Sequence, residues 1–162
     1  MFKRILVPLD GSARAERALP VAIRIAKASG AGGAVLLVRV VNPMNEYWTA
    51  GAMMQESMMP QSLIDTEISE ASRYLRDVTK SYDCAGLTLE MIVLFGPVAS
   101  TILTTASEHK ADMIVLCSHG YTGMKRWVMG SVAEKIARHS LLPVFILREG
   151  VALPAAYASE HA

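Results

Sequence analysis

The sequence predicts an α/β domain, a single doubly wound parallel sheet with helices on both faces. Three observations carry this. Short apolar runs rich in branched residues recur along the chain. They alternate with longer segments whose apolar residues step by three and four, and Gly, Pro or Asp marks the places where one period gives way to the other. Strands that are apolar on both faces and separated by helices belong to a parallel sheet with right-handed crossovers. Periodicity alone leaves the strand order open.

The elements follow in turn. Ile5-Leu6-Val7 is a first strand, ended by the turn-forming cluster Pro8-Leu9-Asp10-Gly11-Ser12. Ala15, Leu19, Ala22 and Ala26 then mark one face of a helix closed by Gly30, with a bend expected at Pro20, which removes a backbone donor. Val35-Leu36-Leu37-Val38-Arg39-Val40 is a second buried strand. Ile64, Ile68, Ala71, Leu75 and Val78 describe an amphipathic helix. Leu87, Leu89, Met91 and Val93 alternate with Thr88 and Glu90, a strand with one wetter face. Gly96-Pro97 opens a helix carrying Val98, Ile102 and Ala106, with Pro97 suited to its first turn. Met113-Ile114-Val115-Leu116 is a fourth strand, Val132 and Ile136 mark a further helix, and Pro143-Val144-Phe145-Ile146-Leu147 is a fifth strand.

Residues 1–148 therefore read as one domain. Within it, residues 42–61 form an insertion holding Met44, Met53, Met54, Met58 and Met59 with Tyr47 and Trp48. It is long for a βα loop, so it reads either as a lid or partner surface or as a cover for one end of the sheet. Residues 149–162 read as a flexible tail.

Composition narrows the function. The chain has 162 residues, 52% hydrophobic and 19% charged, enough for one domain to bury a core without metals or disulfides. Sixteen Lys+Arg against fifteen Asp+Glu leave +1, which argues against nucleic acid or an anionic membrane as partner. No apolar run approaches the ~18 residues of a membrane span, and Pro8 and Asp10 cut short the apolar opening that a secretory signal would need. Cys84 and Cys117 form neither a disulfide framework nor a Cys-x-x-Cys pair, so a cytoplasmic location is expected. Both read as inert buried thiols. His109, His139 and His161 have no metal-ligand spacing and are assigned to the surface.

In open parallel sheets, ligands bind outside the carboxyl ends of the strands. The fourth strand runs into Cys117-Ser118-His119-Gly120-Tyr121-Thr122-Gly123, with Gly130-Ser131-Val132 close behind. Glycines there let backbone N–H groups approach an anion, and a helix opening at Gly130-Ser131 suits phosphate. Lys125, Arg126, Lys135 and Arg138 make the stretch locally basic. Ser131 and Glu134 also have the spacing of a capping box, which needs no ligand. Asp10 can reach a sugar hydroxyl or Mg²⁺, or can simply cap the turn before Ala13. His119 is read as ordering its loop by its own hydrogen bonds, with phosphate contact or proton transfer the alternative. There is no Gly-x-x-x-x-Gly-Lys-Ser/Thr, no Gly-x-Gly-x-x-Gly after the first strand and no Gly-x-Ser-x-Gly, which disfavours P-loop, dinucleotide and α/β-hydrolase sites.

Residues 117–132, taken with 5–12, resemble the universal stress protein family in its ATP-binding branch. That branch carries Gly-x2-Gly-x9-Gly-Ser/Thr; the matching stretch reads Cys117-Ser118-His119-Gly120, nine residues, then Gly130-Ser131, with Cys117 in place of the first glycine. The Ile-Leu-Val-Pro-Leu-Asp-Gly-Ser opening and the Gly96-Pro97 turn also match, and the resemblance spans residues 2–148. It implies strand order 3-2-1-4-5, with the nucleotide between the ends of the first and fourth strands. Asp10 would face the ribose or a phosphate-bound Mg²⁺, Pro8 and Leu9 would line the adenine side, and Val40 would offer backbone hydrogen bonds to adenine. Gly120, Gly130, Ser131 and Val132 would hold the phosphates of ATP, ADP or AMP, beside Cys117. It also implies a homodimer through the edge strand Val144-Phe145-Ile146-Leu147.

The expected function is a nucleotide-dependent stress-response regulator with an unidentified protein partner. Hydrolysis is expected to be slow at most, because no residue stands out as a base for water. The competing reading is a nucleotide-free interaction module that docks through residues 44–59.

Overall fold

The structure, a computed structural model, describes residues 2–41, 61–118 and 129–148. In chain order the elements are β1 (Arg4–Pro8), α1 (Ala13–Glu16), α2 (Ala18–Ala28), β2 (Ala34–Val41), α3 (Gln61–Thr79), β3 (Thr88–Phe95), α4 (Val98–Glu108), β4 (Met113–Ser118), α5 (Ser131–His139) and β5 (Val144–Arg148). The strands form one five-stranded sheet of order β3-β2-β1-β4-β5, every neighbouring pair parallel. This is the order expected from the resemblance, on an adenine nucleotide alpha hydrolase-like fold. β1 is central, pairing Val7 with Leu37 on one side and Leu6 with Ile114 on the other.

Side chains on a strand alternate between faces, and the sheet uses both. Ile5, Val7, Val35, Leu37 and Val115 point to one side, where they meet Leu19, Ala22 and Ala26 of α2 and Leu75 and Val78 of α3. Leu6, Leu36, Val38, Ile114 and Leu116 point to the other, against Ile102 and Ala106 of α4 and Ala133 and Ile136 of α5. Each face thus has its own apolar layer, and the central strands are buried through and through.

Three local expectations are corrected. The bend assigned to Pro20 falls at Arg17, between α1 and α2. Because α1 stops at Glu16, Pro20 stands in the first turn of α2, where its missing N–H breaks no helical bond. Pro97 precedes the first turn of α4 as its N-cap, with ψ of 119°, and its carbonyl accepts from Thr101 N at 3.0 Å. Gln61, assigned to the insertion, is the first residue of α3; the rest of the Met-rich stretch and the tail lie outside the described residues. Gly30 does close α2, with φ of +79°, a left-handed conformation that a Cβ would disfavour.

The amino ends of the strands are tied by polar bonds. One oxygen of Asp112 accepts from Lys3 N and Arg4 N at 2.9 and 2.8 Å, and the Arg4 guanidinium reaches Glu90 at 2.9 Å. At the carboxyl ends the described side-chain tie is a long one, from Arg39 Nη1 on β2 to Leu9 O at 3.5 Å.

The apolar stripe of α3 is buried only in its C-terminal half, where Leu75 is fully enclosed while Ile68 is 37% exposed among the described residues. Leu75→Ala should therefore cost about 2–5 kcal/mol of stability and Ile68→Ala no more than about 0.5 kcal/mol, measured by urea unfolding.

Candidate functional site

All five strands point their carboxyl ends to the same edge of the sheet. After β1 the chain turns toward β2, and after β3 it crosses to β4 on the far side of β1. The crossovers leave in opposite directions, so neither of the two covers the gap above β1 and β4. A cleft of about 390 Å³ opens there, within the range of small-molecule sites.

The cleft has two kinds of wall. Val38 and Val40 of β2, Leu116 of β4, Val98 and Ile102 of α4 and Ile136 of α5 make an apolar half. Asp10, Arg14, Arg39 and Glu67 bring charge to its rim on the side of α1 and α3. An apolar slot beside charged groups suits a ligand with a flat apolar part and an ionic part.

Pro8, Leu9, Asp10, Val40, Cys117, Gly130, Ser131 and Val132 all line this cleft. Gly120 and His119 lie outside the described residues, as do Lys125 and Arg126. Cys117 and Ser118 still belong to β4, which ends two residues beyond the strand end read from the sequence. Cys117 is half-buried, as is Cys84, so neither is the enclosed thiol expected; burial pushes the Cys84 thiol up, which keeps it protonated and inert.

Asp10 does two things at once. Its Oδ1 accepts from Ser12 N at 2.9 Å and from the Ser12 hydroxyl, while Ser12 itself caps α1 by accepting from Ala15 N at 3.2 Å. The carboxylate is thereby held at the strand end by one oxygen, and its residue remains exposed at the cleft. Gly11 takes φ of +85°, and an added Cβ would sit 3.7 Å from the Arg39 guanidinium. The tight turn relies on that glycine through its positive φ, while a Cβ there would only touch Arg39 at ordinary contact distance.

The capping box weighed as the alternative at Ser131 and Glu134 does not form. Gly130 is the N-cap of α5, with φ −60° and ψ 148°, and no side chain caps the helix. Glu134 N donates to Gly130 O at 2.9 Å as the first helical bond, and the Glu134 side chain pairs forward with Arg138 at 2.9 Å. Ser131 is the first helical residue, one place too late to cap. Among the described residues the first amides of α5 thus have no side-chain acceptor, and they stand at the positive end of the helix dipole.

Sequence reasoning missed Arg14, Arg39, Glu67 and the apolar wall from α4. Arg39 had a visible signal: it is the one charge in Ala34–Val41, a strand otherwise buried. Glu67 had none, since a carboxylate on the polar side of α3 looks like a solvated surface residue. Beside the cleft, the Tyr74 hydroxyl donates to Glu16 Oε1 at 3.0 Å and pins α3 to α1. Burial, then the bond to Glu16, raise the Tyr74 phenol well above its ordinary range. Among the described residues no group of three or more His, Cys, Asp or Glu could hold a metal ion.

Comparison with known proteins places this geometry. The model of the universal stress protein family matches residues 1–148. A universal stress protein of Methanocaldococcus jannaschii is 32% identical over 149 residues, covering 92% of this chain and 84% of its own. The solved universal stress protein UspA of Lactobacillus plantarum is 25% identical with a TM-score of 0.69, over 91% of this chain and 98% of that one. Two chains of the same fold are solved with adenine nucleotides. One is a universal stress protein in complex with cAMP (22% identity, TM-score 0.56, 91% of this chain and 97% of that one). The other is an Arabidopsis thaliana family protein with AMP bound (14% identity, TM-score 0.58, 98% and 99%). The chain belongs to the universal stress protein family.

Proposed function

We propose that the strand-end cleft binds an adenine nucleotide, ATP or its products ADP and AMP, and that binding makes the protein a nucleotide-dependent stress-response regulator in the cytoplasm. The observation that carries this reading is the N-terminus of α5, which faces the cleft without a capping side chain. Ionic ligands at such a terminus gain from the free amides and the dipole together. Gly130 has no Cβ to hold a phosphate away. The apolar half of the cleft fits a purine, and Asp10 stands where a carboxylate would meet ribose hydroxyls. The cAMP and AMP complexes of other chains with this fold agree with the reading, although at their low identity they speak for the fold.

In this reading Pro8, Leu9 and the backbone of Val40 hold the base, Asp10 the ribose, and Gly120, Gly130, Ser131 and Val132 the phosphates beside Cys117. Mg²⁺ would arrive on the phosphates, since the described residues offer no protein cage for it, with the free oxygen of Asp10 available toward it. A bound Mg²⁺ would neutralise phosphate charge. In this reading Asp10 serves the ribose and the described lining offers no histidine as a base for water, so turnover of ATP is slow at most. The competing reading, docking through residues 44–59, falls outside the described residues.

We further propose pairing of two copies through β5. It is an edge strand bonded only to β4, and Phe145 on it is 45% exposed.

Asp10→Ala and Gly130→Val should each weaken ATP binding by about tenfold or more in calorimetry, and equal binding by wild type and both variants would refute the site. The φ and ψ of Gly130 are open to Val, so this variant tests approach of the anion and not the backbone. Phe145→Lys should convert the dimer to a monomer in sedimentation; a monomeric wild type would remove the β5 proposal while leaving the cleft untouched.

A further inference from the structure

Among the described residues, Arg39 spends almost none of its hydrogen-bonding capacity. It stands in Ala34–Val41, where its neighbours are buried apolar residues, and it lines the cleft. Its one hydrogen bond among the described residues is long, from Nη1 to Leu9 O at 3.5 Å, and it makes no ion pair with a described carboxylate. The guanidinium lies over Gly11, so it flanks Asp10 from the side of the sheet that carries α1 and α3. Arg14 lines the same wall. Arg39 is only partly exposed, and its planar fork matches a phosphate.

We propose that Arg39, with Arg14 beside it, forms a second anion subsite that takes a phosphate carried on the ribose 2′ or 3′ position of the bound adenine nucleotide. The proposal rests on the nucleotide reading above. There the 5′ phosphates lie at the N-terminus of α5 and the ribose hydroxyls turn toward Asp10. A phosphate on one of those hydroxyls then projects past Asp10 toward the two guanidiniums. Asp10 and Glu67 balance the charges of Arg14 and Arg39 on this wall, so long-range attraction is weak. The gain comes from direct, charge-assisted contact with the fork of Arg39.

The test compares AMP with adenosine 2′,5′-bisphosphate and adenosine 3′,5′-bisphosphate by calorimetry on the full chain. In the wild type at least one bisphosphate should bind about tenfold or more tighter than AMP. In Arg39→Gln that ratio should fall to about one. Arg39→Lys, which keeps the charge and most of the stem, covers the case in which Arg39→Gln does not fold, and its ratio should also fall. AMP binding with neither bisphosphate preferred, or a preference that survives both substitutions, overturns the second subsite and leaves the nucleotide site standing. Failure of all the nucleotides to bind the wild type overturns both.

Discussion

A parallel sheet concentrates its strand ends on one edge, and the position of β1 between β2 and β4 decides what that edge can do. Chain leaving β1 must travel one way and chain arriving at β4 comes from the other, so neither crossover can lie over the pair. The pairing of Leu6 with Ile114 and of Val7 with Leu37 holds this arrangement in the most buried part of the molecule. The cleft is a consequence of that pairing. Its walls are the ends of strands whose middles form the core, which makes them rigid without any bond spent on the site itself.

Two short devices then supply the polar groups. Asp10 and Ser12 share their hydrogen bonds in one turn, so the carboxylate at the end of β1 is fixed by the same contacts that start α1. At the other side, α5 begins at Gly130 with nothing but backbone at its cap. With glycine as its N-cap, such a helix start forgoes only a few tenths of a kcal/mol of capping and keeps its amides available. The stability given up at the rim is small beside the burial on either face of the sheet.

Much of the fold could be read from period changes, because buried parallel strands and amphipathic helices write their spacing into the chain. Strand order could not, since apolar strands carry no address; it came from the likeness of residues 5–12 and 117–132 to a family. The site was legible where strand ends change composition, as at Asp10 and Gly130. It was misread where one spacing serves two geometries: Ser131 and Glu134 fit a capping box in letters, yet the helix starts one residue earlier than that box requires. Arg39 announced itself as a charge in an apolar strand, while Glu67 reached the cleft through the packing of α3, which no local pattern encodes. Ile68 kept perfect helical phase with Leu75 but lies where the described sheet no longer covers α3.

The central claim is that an anion sits on the bare first turn of α5 while its apolar part fills the slot beside Val40. The most direct measurement is the amide spectrum of isotope-labelled protein during titration with ATP. The account predicts saturable shifts at Ser131, Val132 and Ala133, together with Asp10 and Val40, and little change along β5. Saturable binding that leaves those amides still, or moves only residues far from the strand ends, would contradict it.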